Sequence, residues 1–178
     1  MSRPRLYKTE AIVIRGADLG EADRLLTLFT PNLGKLRAVA RGARRPQSKL
    51  GGHLEVLTYS LVMLAQGRQL DIITQSQTIH SFLPLRQDLS RLSLALYAAD
   101  LVDSFTEEHM ENQPVFHILL DALDWLSVAA GELPLRHFEL HLLECLGYRP
   151  QLQQCVACDA ALEPTLNYFS PAAGGVVC

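Results

Sequence analysis

The sequence predicts a multi-module α+β protein: a small β-barrel or sandwich over residues 1–82, a helical bundle over 83–148, and a short zinc-ribbon-like segment over 149–178. Apolar residues recur at every second position in the first module and at every third or fourth position in the second. The last segment holds three of the four Cys and shows little apolar periodicity. A segment this short cannot build its own core and needs a staple.

The first module contains five predicted strands, at residues 11–14, 25–30, 35–41, 54–66 and 69–79. The pattern is clearest in the third strand, where Leu36, Ala38 and Ala40 alternate with mostly basic residues, as expected for a half-buried strand with a basic outer face. Five short strands favour a small barrel or a sandwich, because closure removes exposed strand edges. Residues 42–52, with three Gly and three bases, are predicted to form a loop.

The second module contains three predicted helices. The first covers about residues 85–108. The second begins at Pro114, because the N–H that proline lacks is not needed in the first turn, and ends at Gly131. The third begins at Pro134 and ends at Gly147, a natural C-cap. Each has an apolar stripe, and three such helices are expected to form a bundle.

Charge is distributed very unevenly along the chain. The first fifty residues carry eleven of the sixteen Lys and Arg and only four acids, a formal +7, whereas the other 128 residues carry five bases and fifteen acids, or −10. Such asymmetry points to a polyanion, and nucleic acid is the partner it favours. The alternative is a well-solvated basic face. Six phosphate contacts would give a salt-dependence slope of about −4 on single strands.

Aromatic residues for base stacking are sparse near the basic segment, with Tyr7, Phe29 and Tyr59 as the candidates. Strong charge with weak stacking predicts binding with little sequence preference and tolerance of both single- and double-stranded DNA.

Cysteine spacing indicates a metal site. Cys155 and Cys158 are separated by two residues, and Cys178 follows after nineteen more, a spacing typical of zinc ribbons. A four-ligand site needs one further ligand. Either the sequence is truncated, or the ligand is Cys145, a His, water or another chain. The alternative is a set of free thiols.

Two stripes of polar residues on the predicted helices are interpreted as structural and not as functional sites. His137, His141 and Cys145 follow one another at four-residue spacing, but they lack the metalloprotease pattern, so a solvated or core-edge stripe is expected rather than a catalytic metal. An acidic edge on the first helix is expected to be its solvent-exposed face. Its members are Asp100, Asp103, Glu107 and Glu111.

Several classes of protein are excluded by what the sequence lacks. It contains no phosphate-binding glycine motif and no nucleophile elbow, so we expect no enzyme. It contains no apolar stretch long enough for a membrane span and no secretory signal, which predicts a cytoplasmic protein without membrane contact.

The ordered motifs of the chain resemble those of the RecO family of bacterial DNA-repair and recombination-mediator proteins. The residues that carry the resemblance are 9–14 (TEAIVI), 19–30 (LGEADRLLTLFT), 34–36 (GKL), 40–45 (ARGARR), 54–55 (LE), 84–89 (PLRQDL), 146–150 (LGYRP) and the Cys155-x2-Cys158 pair. The match covers nearly the whole chain, and the chain departs from the family pattern in lacking the fourth Cys.

The resemblance implies an N-terminal OB-fold, a helical bundle and a zinc-ribbon-like module with structural zinc at Cys155, Cys158 and Cys178. It implies a cytoplasmic, nucleoid-associated mediator that binds DNA, anneals complementary strands, and works with RecR and single-strand-binding protein to place RecA on gaps. The family's basic OB surface maps onto Arg15, Lys35, Arg37, Arg41, Arg44, Arg45 and Lys49. A protein-interaction adaptor with incidental DNA contact is the alternative, and a metalloenzyme using His137 and His141 is a third hypothesis.

Overall fold

The computed structural model describes residues 5–48, 50–129 and 131–178. The chain divides into two compact units, Met1–Leu135 and Arg136–Cys178. In the described part of the chain, no helix combines the length and the apolar character that crossing a membrane requires.

Five strands build a closed barrel in the first unit: β1 (Leu6–Leu19), β2 (Asp23–Thr30), β3 (Gly34–Ala40), β4 (Tyr59–Ala65) and β5 (Asp71–His80). They close in the order β1-β2-β3-β5-β4, because β4 pairs with both β5 and β1. The β3–β5 pair is parallel, with Ala38 opposite Asp71, and the other pairs are antiparallel. The predicted N-terminal sheet module is therefore confirmed.

The alternation predicted for β3 is also confirmed. Leu36, Ala38 and Ala40 are buried in the barrel core, whereas Arg37 on the other face is exposed. Because side chains of a strand point alternately to its two faces, the core residues of β3 dictate that its arginine faces outward.

The first strand is much longer than the short run predicted from its apolar residues. Its second half pairs with β2 as far as Leu19 opposite Asp23, past an irregularity between Val13 and Arg15. Gly20, at φ 60°, then makes the turn into β2. Long-range pairing with β2 thus extends the strand through residues of low β-propensity.

The predicted strand 54–66 is wrong in its first third, since β4 begins only at Tyr59. Residues 54–58 form a loop in which Leu57 has φ 68° and donates its N–H to the Val13 carbonyl at 2.7 Å. Arg86 fastens this loop by donating from Nη2 to the Val56 carbonyl at 2.7 Å and to Thr58 Oγ1 at 2.9 Å. The apolar residues here fill the core from a loop.

The helices are α1 (Leu83–Arg86), α2 (Leu89–Phe105), α3 (Gln113–Val128) and α4 (Leu133–Cys145), which confirms that helices follow the sheet. The predicted helix 85–108 is broken at Asp88, whose side chain caps α2 by accepting the N–H groups of Ser90 and Arg91. Pro114 lies in the first turn of α3, as predicted. Phe116 of α3 packs on the barrel, with its ring centroid 6.3 Å from that of Phe29.

The connection between α2 and α3 crosses the start of β3. His109 donates its N–H to the Lys35 carbonyl at 2.8 Å, and the Met110 carbonyl lies against Gly34. This contact fixes the position of the loop 106–112 beside the outer face of the barrel.

The second unit ends in a small hairpin. Its strands are β6 (Tyr168–Ser170) and β7 (Gly175–Val177), which pair antiparallel. Val156 donates its N–H to the Val176 carbonyl at 2.9 Å, so the segment after α4 is fastened to β7. The C-terminal cysteine follows β7 directly.

Candidate nucleic-acid interface and cysteine cluster

The candidate DNA-binding residues of the first unit divide into two groups according to their partners. Six of the seven residues lie in the described part of the chain, whereas Lys49 lies outside it. Three of the six make ion pairs within the unit, and three do not; the paired residues are Arg15, Lys35 and Arg44.

Arg15 of β1 and Lys35 of β3 both pair with α2. Lys35 Nζ lies 3.0 Å from Asp103 Oδ1 and also donates to the Asp103 carbonyl at 2.5 Å. Arg15 Nη2 lies 3.1 Å from Asp100 Oδ1, and its Nη1 lies 3.4 Å from Asp103 Oδ2. These contacts join the barrel to α2 and neutralise two of the predicted cations.

Arg44 pairs with the β1–β2 hairpin. Its Nη2 lies 3.3 Å from Asp18 Oδ2, and its Nη1 donates to the Gly20 and Glu21 carbonyls at 3.1 and 3.3 Å. Within the loop 41–48, Arg44 therefore fastens the loop to the hairpin.

The remaining group consists of Arg37, Arg41 and Arg45. All three are exposed, and no hydrogen bond or ion pair of their side chains is found among the described residues. Arg37 lies on the outer face of β3, Arg41 follows the end of that strand, and Arg45 runs back along Gly42, where an added Cβ would lie 3.6 Å from Arg45 Cδ. Three unpaired guanidinium groups therefore lie on β3 and in the loop that follows it.

The prediction that the acidic edge of α2 is exposed to solvent is wrong for Asp103. The Asp103 side chain is only 19% exposed and forms ion pairs with Arg15 and Lys35 of the barrel. Asp100 is 60% exposed beside Arg15. Sequence spacing alone gives no sign of these pairs, because their partners lie about seventy to ninety positions away along the chain.

Asp103→Asn is expected to lower the free energy of unfolding by about 1–2 kcal/mol, because it leaves the mostly buried ammonium of Lys35 without its counter-ion. Asp100→Asn is the matched control and should cost less than about 0.5 kcal/mol, since its pair with Arg15 is solvent-exposed on both sides. Urea denaturation curves of the two variants check this. Equal effects would contradict the structural role of Asp103.

The aromatic candidates are buried or half-buried and contact other residues of the unit. Phe29 is buried, and the hydroxyl of Tyr7 donates to Asp71. The hydroxyl of Tyr59 donates to Glu10 at 2.6 Å; burial, followed by this hydrogen bond, raises the pKa of Tyr59 to about 12. The geometry supports contact with phosphates more than with bases.

In the second unit, the Sγ atoms of Cys155, Cys158 and Cys178 all lie within 4.8 Å of one another. The Sγ atoms of Cys158 and Cys178 are 3.8 Å apart. A tetrahedral zinc with Zn–S bonds of about 2.3 Å has S–S edges of about 3.8 Å. The three thiols therefore fit three corners of a tetrahedral metal site, as their spacing predicts.

Backbone N–H groups point at the central thiol of this cluster. The N–H groups of Cys178 and Ala157 each lie 3.4 Å from Cys155 Sγ, and these donors lower the pKa of Cys155 to about 6. Hydrogen bonding to Cys155 and Cys158 raises the pKa of Cys178. Donation of this kind stabilises a thiolate, which is the form that binds metal.

The other metal-binding candidates do not join the cluster. In the described residues, Cys155, Cys158 and Cys178 form the one group of three or more possible ligands close enough to share an ion. Burial, followed by the charge of Glu144, raises the pKa of Cys145. The rings of His137 and His141 lie 4.3 Å apart on α4.

Both parts of the chain match sequence models of one protein family. Residues 1–82 match the model described as "Recombination protein O N terminal", and residues 86–178 match "Recombination protein O C terminal".

Curated relatives agree with the models. "DNA repair protein RecO" of Roseiflexus sp. (strain RS-1) is 54% identical over 99% of this chain, which spans 62% of that relative's length. The proteins of the same name from Dehalococcoides mccartyi (strain CBDB1) and Pelotomaculum thermopropionicum are 45% and 40% identical, and the chain spans 71% and 68% of them. Because family models and relatives agree along the whole sequence, the chain belongs to the RecO family of DNA repair proteins.

Proposed function

We propose that this chain acts as a DNA repair and recombination mediator. It binds single- and double-stranded DNA, anneals complementary strands, and helps to load RecA onto DNA coated with single-strand-binding protein, in partnership with RecR. The barrel acts as an OB-fold, and the protein works in the cytoplasm at the nucleoid. The supporting observation is that the guanidinium groups of Arg37, Arg41 and Arg45, on β3 and the loop after it, are exposed and unpaired among the described residues.

The seven basic residues have different roles in this function. Arg37, Arg41 and Arg45 contact phosphates, because their charges are unpaired within the described residues. Arg15, Lys35 and Arg44 shape and hold the surface, since their charges are already paired inside the unit; Lys49 stays a candidate for DNA contact on its sequence position alone. A backbone-directed site of this kind binds DNA with little sequence preference.

An annealing assay tests this function. Complementary oligonucleotides, each coated with single-strand-binding protein, are mixed with and without the chain, and duplex formation is followed by fluorescence quenching. Acceleration supports the mediator. If the chain accelerates nothing yet captures RecR after nuclease treatment and in ~0.5 M salt, where phosphate attraction is largely screened, the adaptor function is correct instead.

We propose in addition that Cys155, Cys158 and Cys178 hold a structural zinc ion. The ion would cross-link the turn at residues 155–158 to the end of β7. This cross-link would stabilise a segment that is too short to form a hydrophobic core of its own. Three thiolates leave one corner of the tetrahedron for a further ligand.

Metal analysis of the purified chain is expected to give one zinc per chain, falling at least tenfold in Cys158→Ser because a site with two thiolates binds zinc weakly. Cys145→Ser is the matched control and should keep its zinc, since Cys145 lies outside the cluster. Zinc-free wild-type protein, or loss of zinc from the control, would contradict the assignment.

A further inference from the structure

We propose that Arg68, in the turn between β4 and β5, forms a phosphate subsite with Arg37, so that the DNA contacts proposed for β3 continue onto this turn. The inference rests on the proposed function and extends it to a residue that the charge pattern of the sequence does not single out. Arg68 is exposed, and its side chain has no hydrogen bond or ion pair among the described residues.

Strand register places the two arginines on the same side of the barrel. Residues 38 and 39 of β3 lie opposite residues 71 and 72 of β5, so Arg37 faces the end of the turn that precedes β5. Arg37 and Arg68 line one cleft of about 250 Å³ together with Gln66 and Gln69. Two guanidinium groups and two amide donors form a set suited to the oxygens of a phosphodiester.

The backbone that carries Arg68 is tightly held. Gly67 packs so closely in the turn that an added Cβ would lie 1.8 Å from the Leu70 carbonyl oxygen. Its N–H donates to Asp71 Oδ1 at 3.1 Å, and Tyr7 donates to the same carboxylate. The acid nearest the turn is therefore engaged with the scaffold, and a rigid turn presents Arg68 at low entropic cost.

One exposed acid opposes the subsite. Glu108, which bridges to Lys35 through its backbone, lines the same cleft, and its side chain has no ion pair among the described residues. Its carboxylate should repel a phosphate that Arg68 attracts. Removing this charge is therefore expected to act in the opposite direction to removing Arg68.

Binding of a fluorescein-labelled oligothymidylate, followed by anisotropy as a function of salt, tests the subsite. Arg68→Ala is expected to raise Kd about three- to tenfold at low salt and to reduce the salt slope by about 0.7, the value of one single-strand phosphate contact. Glu108→Gln is expected to lower Kd. The charge-matched control is Arg149→Ala in the second unit, where an exposed arginine pairs with Glu144; it should change Kd less than twofold.

Two further variants separate a specific subsite from general charge. Arg68→Lys keeps the charge, so the slope should stay as in the wild type while Kd rises, because an ammonium lacks the planar fork. In a double-mutant cycle, the two side chains are expected to be coupled because they hold the same phosphate. The increase in Kd of the double variant should therefore differ from the product of the increases caused by Arg37→Ala and Arg68→Ala alone.

The outcomes distinguish the subsite from the function on which it rests. If Arg68→Ala binds no worse than Arg149→Ala while substitution of Arg37, Arg41 and Arg45 abolishes binding, the subsite is overturned and the proposed function stands. If the wild-type chain itself does not bind the oligonucleotide, the proposed function fails first. Circular dichroism melting of each variant shows whether it is folded.

Discussion

Replacing Arg37, Arg41 and Arg45 together with Glu is expected to weaken binding of single-stranded DNA on the order of 100-fold or more at low salt. Each substitution removes a phosphate contact and adds a repelling charge. Because these side chains make no polar contact with other described residues, the melting temperature should change by only a few degrees. Fluorescence anisotropy and circular dichroism measure the two effects on the same samples.

Lys8→Glu provides a single-site control for Arg41→Glu. Lys8 is also exposed and without a described partner, but it lies on β1 opposite Met63 of β4, whereas β1 and β3 are not paired. Lys8→Glu changes the net charge by the same amount, on a strand that is not paired with β3. Arg41→Glu should therefore weaken binding severalfold more than Lys8→Glu, and equal losses would mean that only net charge matters.

Gly34→Ala is expected to cost about 3 kcal/mol or more of folding free energy and thus a large part of the stability of the first unit. Gly34 has φ 64°, in the left-handed region, and an added Cβ would lie 1.9 Å from the Met110 carbonyl oxygen. The carbonyl of Gly34 accepts from Thr30 Oγ1 at 2.9 Å, and Lys35 accepts from His109, so neither backbone can move away freely.

Two glycine controls separate strain from contact. Gly20 has φ 60° but nothing within 4 Å of an added Cβ, so Gly20→Ala should cost about 1 kcal/mol from backbone strain alone. Gly52 has neither a positive φ nor a close neighbour, so Gly52→Ala should be neutral or slightly stabilising. Urea denaturation should rank the variants in this order, and a Gly34→Ala protein as stable as Gly20→Ala would refute the contact with Met110.

The strands were predictable where local sequence and tertiary structure agree. In β3 the alternation of Leu36, Ala38 and Ala40 follows from burial in the barrel, so the local pattern predicts the strand and its inner face. The local sequence pattern fails to predict the strand limits where tertiary contacts determine them. Pairing with β2 extends β1 to Leu19, and the apolar residues of the loop 54–58 are buried in a pattern that resembles a strand.

Function was predictable at the level of the family and of the cysteine cluster. Family models and relatives confirm the resemblance, and because this is a family of DNA repair proteins and not of enzymes, the expectation of no catalysis is confirmed with it. The spacing of Cys155, Cys158 and Cys178 predicted a cluster that the structure brings together.

The partners of the basic residues were not predictable from the sequence. A charge count does not show that Arg15 meets Asp100, 85 positions away, or that Lys35 is mostly buried against Asp103. The sequence does not single out Arg68, which is one base between two predicted strands, and the β3–β5 register is what brings it near Arg37.

The salt dependence of single-stranded DNA binding tests the central claim most directly, which is that the unpaired arginines carry the phosphate contacts. Contacts by Arg37, Arg41 and Arg45, with or without Arg68 and Lys49, predict a slope of log affinity against log salt between about −2 and −3.5. Engagement of the paired residues as well would give about −4 or steeper. A slope in the first range supports this division of the basic face, whereas a slope near zero or one of −4 contradicts it.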